Sequence, residues 1–455
     1  MQSTPTPSAG AMVPRMDSGS LPDQARYGSD SMLMKSQRVL HKFFPQSGGT
    51  FSPTGSRVIR FDISSPQFLD LSEARFLCEI ENTGAGTSLL DGGLGGTIRR
   101  VSIMNSSGQL LERIDDYGLI QTVLNQCSDR ARLHADDLLI SEGFIADATN
   151  VGSAATTENR MAAGVTRQYS HKMHGAWFQT AKKKLLPPGM AFRLEIELVP
   201  TGNEAMVQTT DVVGAFSMSN VQMVMPAVSI MSQAFEDSTA RMLARGYRWS
   251  GATYRSYNFS AANAESTKNL QQFNVPDKSL ALTGLLAIAR VTADTTANQG
   301  FKNYKRAAKN FAVDYNVSIG SQQYPPVRIK YETPGAAGAG GDVITGANSF
   351  KLAENVEQIK AVLGAAPLSL GDSATMGQVY AIAANGGGTA FLAVQVGYGQ
   401  GIGIDTQTAS LPVQFNCSTA ADGGAVPLTV TIFAQATATF SMQPNQGMLE
   451  VRSFI

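Results

Sequence analysis

The chain has 455 residues, of which 43% are apolar and 16% charged, with 36 basic and 36 acidic side chains and a formal net charge of zero. That length exceeds one ordinary core, so two or three domains are expected, and the charge content lies below the roughly 25% of an average domain. The balance excludes a chain whose main task is coating nucleic acid, and the scarcity of charge fits a surface covered by partners.

Residues 1–30, rich in Ser, Pro, Gly and Gln, predict a flexible arm. Next, "SMLMKSQRVLHKFF" (31–44) has apolar residues at helical spacing and predicts a short helix closed by Pro45. Strand signals follow at "RVIRFDIS" (57–64), "ARFLCEIEN" (74–82), "IRRVSIMN" (98–105) and "GQLLERID" (108–115). The last two are joined by the hairpin-type turn Asn105-Ser-Ser-Gly108. "DYGLIQTVLNQ" (116–126) switches to helical period, with Asp115 or Asp116 as N-cap. Alternation returns at "MAFRLEIELVP" (190–200) and "AFSMSNVQMVMPAVSI" (215–230).

"MSQAFEDSTARMLARG" (231–246) predicts a helical joint ending at Gly246. Beyond it the strand pattern restarts at 247–260, 280–293 and 310–320, passes a short helix at 355–364, and resumes at 387–397, 409–417, 427–442 and 447–455. The stretch "YNVSIGSQQYPPVRI" (315–329) reads as a strand end entering a fixed corner. Gly320 permits unusual dihedrals there, while Pro325 and Pro326 stiffen the exit.

The chain is therefore expected to be all-β. The expected division is an arm over 1–50 with its short helix, a first sandwich over 51–230, a helical joint over 231–246, and a second sandwich over 247–455. Two eight-stranded jelly rolls in tandem are one arrangement that copes with sheet edges.

Several stretches, taken in order, resemble the double jelly-roll major capsid proteins of DNA viruses. They are similar in particular to the polinton-like virus and virophage branch of the adenovirus and giant-virus capsid lineage. "LLDGGLGGTIRRVSIMNSSGQLLERIDDYGLIQTVL" (89–124) resembles the first roll's strand pair and following helix. "LLPPGMAFRLEIELVP" with "FSMSNVQMVMPAVSI" (185–230) resembles the end of that roll. "KSLALTGLLAIARV" with "YNVSIGSQQYPPVRI" (278–329) resembles a second-roll pairing, and the tail from "TAFLAVQVGYGQGIGIDTQTASLPVQF" resembles the closing strands. The Gly/Ala insert "TPGAAGAGGDVITGA" (333–347) departs from the pattern.

The resemblance implies a structural protein of the virion, made in the host cell and not secreted. It implies homotrimers that tile an icosahedral shell with neighbouring trimers, joined by penton and minor capsid proteins. The N-terminal arm would face the genome or an internal membrane. Its five basic residues (Arg15, Arg26, Lys35, Arg38, Lys42) against three acidic ones (Asp17, Asp23, Asp30) predict no strong genome binding.

The chemistry-bearing motifs point the same way. "LLDGGLGGT" (89–97) lacks the Lys-Ser/Thr of a phosphate loop, and "GYGQGIG" (397–403) misses the dinucleotide spacing. "HKMH" (171–174) offers His171 and His174 as a metal pair with no further ligand nearby, so both are expected at the surface. "AKKK" (181–184) reads as a solvated basic loop, with contact to an acidic neighbour or genome as the alternative. Asp115-Asp116 and Asp136-Asp137 read as caps and turns, and Met218, Met223 and Met225 as core filler.

The three cysteines, Cys78, Cys127 and Cys417, lack metal-site spacing and fit a reducing compartment. The first 30 residues lack an apolar segment, so no secretion signal is expected, and the sequons at Asn105, Asn258, Asn316 and Asn416 read as chance matches. No catalytic, cofactor or metal residue, no cofactor and no small-molecule substrate are expected. Two alternatives stay open: a minor capsid or spike protein on the same fold, or a glycan-binding sandwich with exposed aromatics.

Overall fold

A computed structural model describes residues 35–90, 92–126, 141–143, 160–178, 185–208, 214–231, 237, 239, 241, 246–262, 270–291, 314–330, 346–363, 392–398, 402–408, 410–418, 427–445 and 448–454. The expected arm over 1–30, Asp136-Asp137, the basic run 181–184 and most of the Gly/Ala insert lie outside them.

The first part of the chain supplies β1 (Lys35–Phe43), β2 (Val58–Ser64), β3 (Phe68–Asp70), β4 (Arg75–Asn82), β5 (Ser88–Leu90), β6 (Ile98–Asn105) and β7 (Leu110–Asp115). Helix α1 (Tyr117–Gln126) follows, then β8 (Thr166–Lys172), β9 (Leu185–Leu186), β10 (Ala191–Leu198), β11 (Met206–Gln208) and β12 (Phe216–Met231). In one sheet β12 is flanked by β1 on one side and by β4 and β3 on the other, with β8 beyond β4. The facing sheet runs β2-β10-β6-β7. Taking β1, β2, β4, β6, β7, β8, β10 and β12 as first to eighth, the sheets read first-eighth-third-sixth and second-seventh-fourth-fifth. That is the order of two interleaved Greek keys, a jelly roll.

The second part repeats it. Its strands are β13 (Tyr247–Ala262), β14 (Leu270–Val275), β15 (Leu282–Val291), β16 (Asp314–Ile319) and β17 (Gln322–Lys330), then helix α2 (Gly346–Leu363). Strands β18 (Leu392–Gln395), β19 (Val413–Ser418), β20 (Pro427–Asn445) and β21 (Met448–Phe454) complete it. The sheets run β13-β20-β15-β18 and β14-β19-β16-β17, with β21 returning along β20. In both halves the first helix after the fifth strand lies between the fifth and sixth strands.

Period-2 alternation explains the packing. Ile59, Phe61 and Ile63 of β2 meet Phe192, Leu194 and Ile196 of β10, and all point inward against Phe76, Cys78 and Ile80 of β4. Each such side chain contributes about 1.5–3 kcal/mol on burial. Met218, Met223 and Met225 are fully buried, as expected of core filler.

Three local expectations need correction. The helix expected at 31–44 is strand β1, paired residue for residue with β12 from Lys35↔Met231 to Phe43↔Met223. Its apolar spacing suits a helix, but β12 offers a full hydrogen-bond ladder, and tertiary pairing overrides local propensity. The corner at 315–329 is instead a hairpin. Gly320 and Ser321 form the turn between β16 and β17, and Gly320 holds φ +60°. Between the pairs Tyr315↔Ile329 and Val317↔Tyr324 the register shifts, so Pro325, Pro326, Val327 and Arg328 bulge out of the ladder. Proline has no N–H to donate, and a bulge on an outer strand is where its absence costs least. Finally, α2 begins nine residues before the expected 355, at Gly346. At the expected joint, β12 runs on to Met231, and Asp237, Thr239 and Arg241 are helical.

Candidate functional site

The histidine pair is buried, contrary to the surface position expected. His171 is 0% exposed because it points inward from β8, opposite Phe76 of β4. Its Nε2 lies 3.0 Å from the Tyr117 hydroxyl and its Nδ1 3.2 Å from Glu142 Oε2. The Tyr117 oxygen accepts from the His174 amide at 2.9 Å. Burial pushes the Tyr117 hydroxyl well above its ordinary pKa. Burial would also raise Glu142, but the facing His171, with the Lys172 amide at 3.1 Å and His174, outweighs it and holds the carboxyl at about 2. Among the described residues no group of three or more His, Cys, Asp or Glu is placed to hold a metal ion. The cluster ties α1, β8 and the segment around Glu142 together inside the first roll.

The glycine-rich stretch at 89–97 ends in a buried 3-10 turn, Leu94–Thr97, beneath α1. Cys78 and Cys417 are buried free thiols whose pKa burial raises, to about 12 for Cys417. Asn105, Asn316 and Asn416 are buried, which puts three of the four sequons out of reach in the folded chain.

The two rolls meet at a built junction. Asp116 stands just before α1, and its carbonyl accepts from the Leu119 and Ile120 amides, as a helix start requires. Its carboxylate is turned away from the cap. It receives Ser256 Oγ at 2.9 Å and Asn258 Nδ2 at 3.0 Å from β13, and pairs with Arg99 at 2.7 Å. Glu112 of β7 is buried too, accepting from the Ala176 and Trp177 amides at 2.8 and 2.9 Å and from Thr253 of β13. Burial raises its pKa against those three hydrogen bonds.

Beside them the Trp177 and Trp249 rings pack at 5.2 Å, and both touch Phe440 of β20. One apolar cluster therefore runs without a break from the first roll's core into β13 and β20. Both tryptophans are buried in this junction, so neither offers the exposed platform a glycan-binding sandwich needs. Sequence reading missed the junction because Asp116 and Glu112 look like ordinary cap and strand-face charges.

Large apolar residues are also exposed, singly at Leu110, Val165, Leu270 and Leu280 and at three further places. On β17, Pro326 and Val327 stand out of the bulge, Val327 with 78% of its surface free. On and after β1, Val39, Leu40 and Phe44 are exposed, Leu40 at 61%. A third site holds Tyr398, 87% exposed, whose N–H donates to the Ile402 carbonyl at 3.0 Å. Strands that carry apolar side chains outward at sheet edges are built to be covered.

Solved structures with the same arrangement exist. PBCV-1 VP54, fitted into a reconstruction of the virophage Sputnik, matches with TM-score 0.58 and 8% identity over 92% of this chain and 97% of that one. The fold is that of the double jelly-roll major capsid proteins. A chain of the Sputnik virophage structure matches with TM-score 0.56 and 8% identity, over 92% of this chain and 89% of that one. The mavirus major capsid protein matches with TM-score 0.50 and 10% identity, over 96% and 95%. No protein-family profile matches the chain, and no curated protein matches it by sequence.

Proposed function

We propose that this chain is the major capsid subunit of a DNA virus and has no enzymatic role. Its reading is as a homotrimer of six rolls, nearly hexagonal in outline, that tiles an icosahedral shell and is joined by penton and minor capsid proteins. The chain divides at 231–246 into the two rolls, and residues 1–30 face inward as an assembly arm. The observation that carries this reading is the complete jelly-roll order formed twice in one chain. Two rolls per chain give a three-fold ring six roll-sized corners, and hexagonal units fill a surface.

Light scattering on the purified protein is expected to give three times the 48.3 kDa chain mass. Negative-stain images are expected to show hexagonal plates, and a stable monomer at micromolar concentration sinks the reading. Copy number in purified particles separates a major subunit from a minor capsid or spike protein.

A further inference from the structure

The junction inside the chain is one instance of a contact whose counterpart is unmade. In jelly-roll order, β7 is the fifth strand of the first roll and β13 the first strand of the second. These two lie against each other, with β21 beside them. At this contact Thr253 donates to Glu112, and Leu111, Glu112 and Ile114 of β7 and Trp249, Thr253 and Tyr254 of β13 are all buried in the folded chain.

Moved one roll along, the same contact would bring the fifth strand of the second roll, β17, to the first strand of a first roll, β1. Within one chain, among the described residues, these surfaces are largely exposed, with Arg38 ion-paired to Glu73. Gln37, Arg38, Val39 and Leu40 are all exposed on β1, including Val39, which points to the side of the sheet that faces the core. On β17, Gln322, Gln323, Pro326 and Val327 are exposed, although α2 and β18 touch the strand. The two exposed surfaces match in chemistry. One presents a stiff apolar knob, Pro326-Val327, and the other an apolar edge, with Val39 and Leu40 on opposite faces of β1 and Phe44 just past its end.

We propose that the β17 edge of one copy docks on β1 of a second copy, repeating between chains the β7–β13 contact made within the chain. The occupant is another copy of this chain because that partner carries the matching edge in the matching place. The contact is head-to-tail, so each copy uses a different surface toward each neighbour, and the set closes as a ring. This rests on the capsid-subunit reading and names the surfaces by which the trimer forms.

Two experiments test it. Val327→Asp and Leu40→Asp each place a charge in the proposed contact, and each is expected to weaken self-association roughly a hundredfold or more while leaving the circular-dichroism spectrum unchanged. Val327→Ser and Leu40→Ser, milder changes, are expected to weaken it in the same order. In a Cys127→Ser background, chains carrying Val327→Cys are mixed with chains carrying Leu40→Cys and treated with a short bis-maleimide. Dimers with one chain of each kind are expected, and none from either variant alone.

A trimer that forms as tightly with both aspartates as without them overturns this interface and leaves the capsid reading standing. Self-cross-linking of the Val327→Cys chain overturns it as well, because a two-fold contact would then bring β17 to β17. A parent chain that stays monomeric overturns both.

Discussion

Strands β7 and β17 hold the same place in their two rolls and meet different surroundings. β7 is short, and its Leu111, Glu112 and Ile114 are buried against the second roll and the loop at 175–177. β17 is longer, carries two prolines in a bulge, and turns Val327 to solvent. One strand was selected for a partner always present in the same chain, so it can bury a carboxylate that needs three fixed donors. The other carries no carboxylate and turns its apolar Pro326 and Val327 to solvent. A buried charge without its donors costs several kcal/mol, so such a device is safe only where the partner never leaves.

The outer faces of the sheets formed by the second, seventh, fourth and fifth strands differ in the same spirit. The first roll uses cross-strand ion pairs, Arg60–Glu195 and Arg193–Asp62 at 2.9 Å each. The second uses amides and hydroxyls, with Asn416 Nδ2 reaching Ser318 Oγ at 2.9 Å and Asn316 Nδ2 reaching Gln323 Oε1 at 3.3 Å. Exposed ion pairs contribute about 0–1 kcal/mol each and are screened by salt, so the first roll's pairs add little, whereas Asn316 and Asn416 of the second are buried and depend on their hydrogen bonds.

The comparison is broken most severely at the junction. Trp177→Ala removes the ring that contacts Trp249 and Phe440, and is expected to cost about 3–5 kcal/mol, read from denaturant midpoints. Because that ring couples the rolls, the variant's unfolding is expected to separate into two transitions. A single transition with unchanged midpoint would show that the rolls are independent of the junction.

Next comes the buried cluster of His171, Tyr117 and Glu142 in the first roll. The folded-state pKa of Glu142 lies below its ordinary value, at about 2. The stability it contributes is therefore complete above the ordinary carboxylate range, near 4.5, and is lost as pH falls through about 2. Glu142→Gln is expected to lower stability at neutral pH by on the order of 2 kcal/mol and to flatten the acid limb of a melting-temperature profile. An acid limb identical to the parent's removes this role from Glu142.

Gly320→Val probes the second roll's hairpin. With φ +60° and Leu411 Cδ2 at 3.2 Å from the position of a Cβ, the change is expected to cost about 1–3 kcal/mol in thermal melts. A variant that melts like the parent would mean the turn relaxes freely. Smaller still, Pro325→Ala with Pro326→Ala frees the unfolded chain, by about 1 kcal/mol in all, and is expected to weaken assembly more than folding. Assembly yield beside a thermal melt separates the two effects. Limited proteolysis is expected to remove residues 1–30 and leave the remainder intact, and early cleavage within 57–115 would refute the domain division.

Local pattern alone determined most of the two sandwiches. Alternating strands such as β4, β6 and β10, and the switch to helical period at α1, appear within a residue or two of where the side-chain pattern places them, because one face must be apolar and the other polar. The order of motifs also carried the resemblance to capsid proteins. Tertiary structure decided the rest, for identifiable reasons. β1 has helix-like spacing and becomes a strand because β12 presents an open ladder along its whole length. β8 has polar residues facing inward, so alternation could not mark it. His171 is buried because Tyr117 and Glu142, distant in sequence, converge on both its ring nitrogens. β17 hides behind prolines that suit a bulge but no ordinary strand, and the junction joins residues as far apart as Glu112 and Thr253. A sequence states what each side chain would accept, whereas the partner that satisfies it is fixed only when non-local segments are brought together.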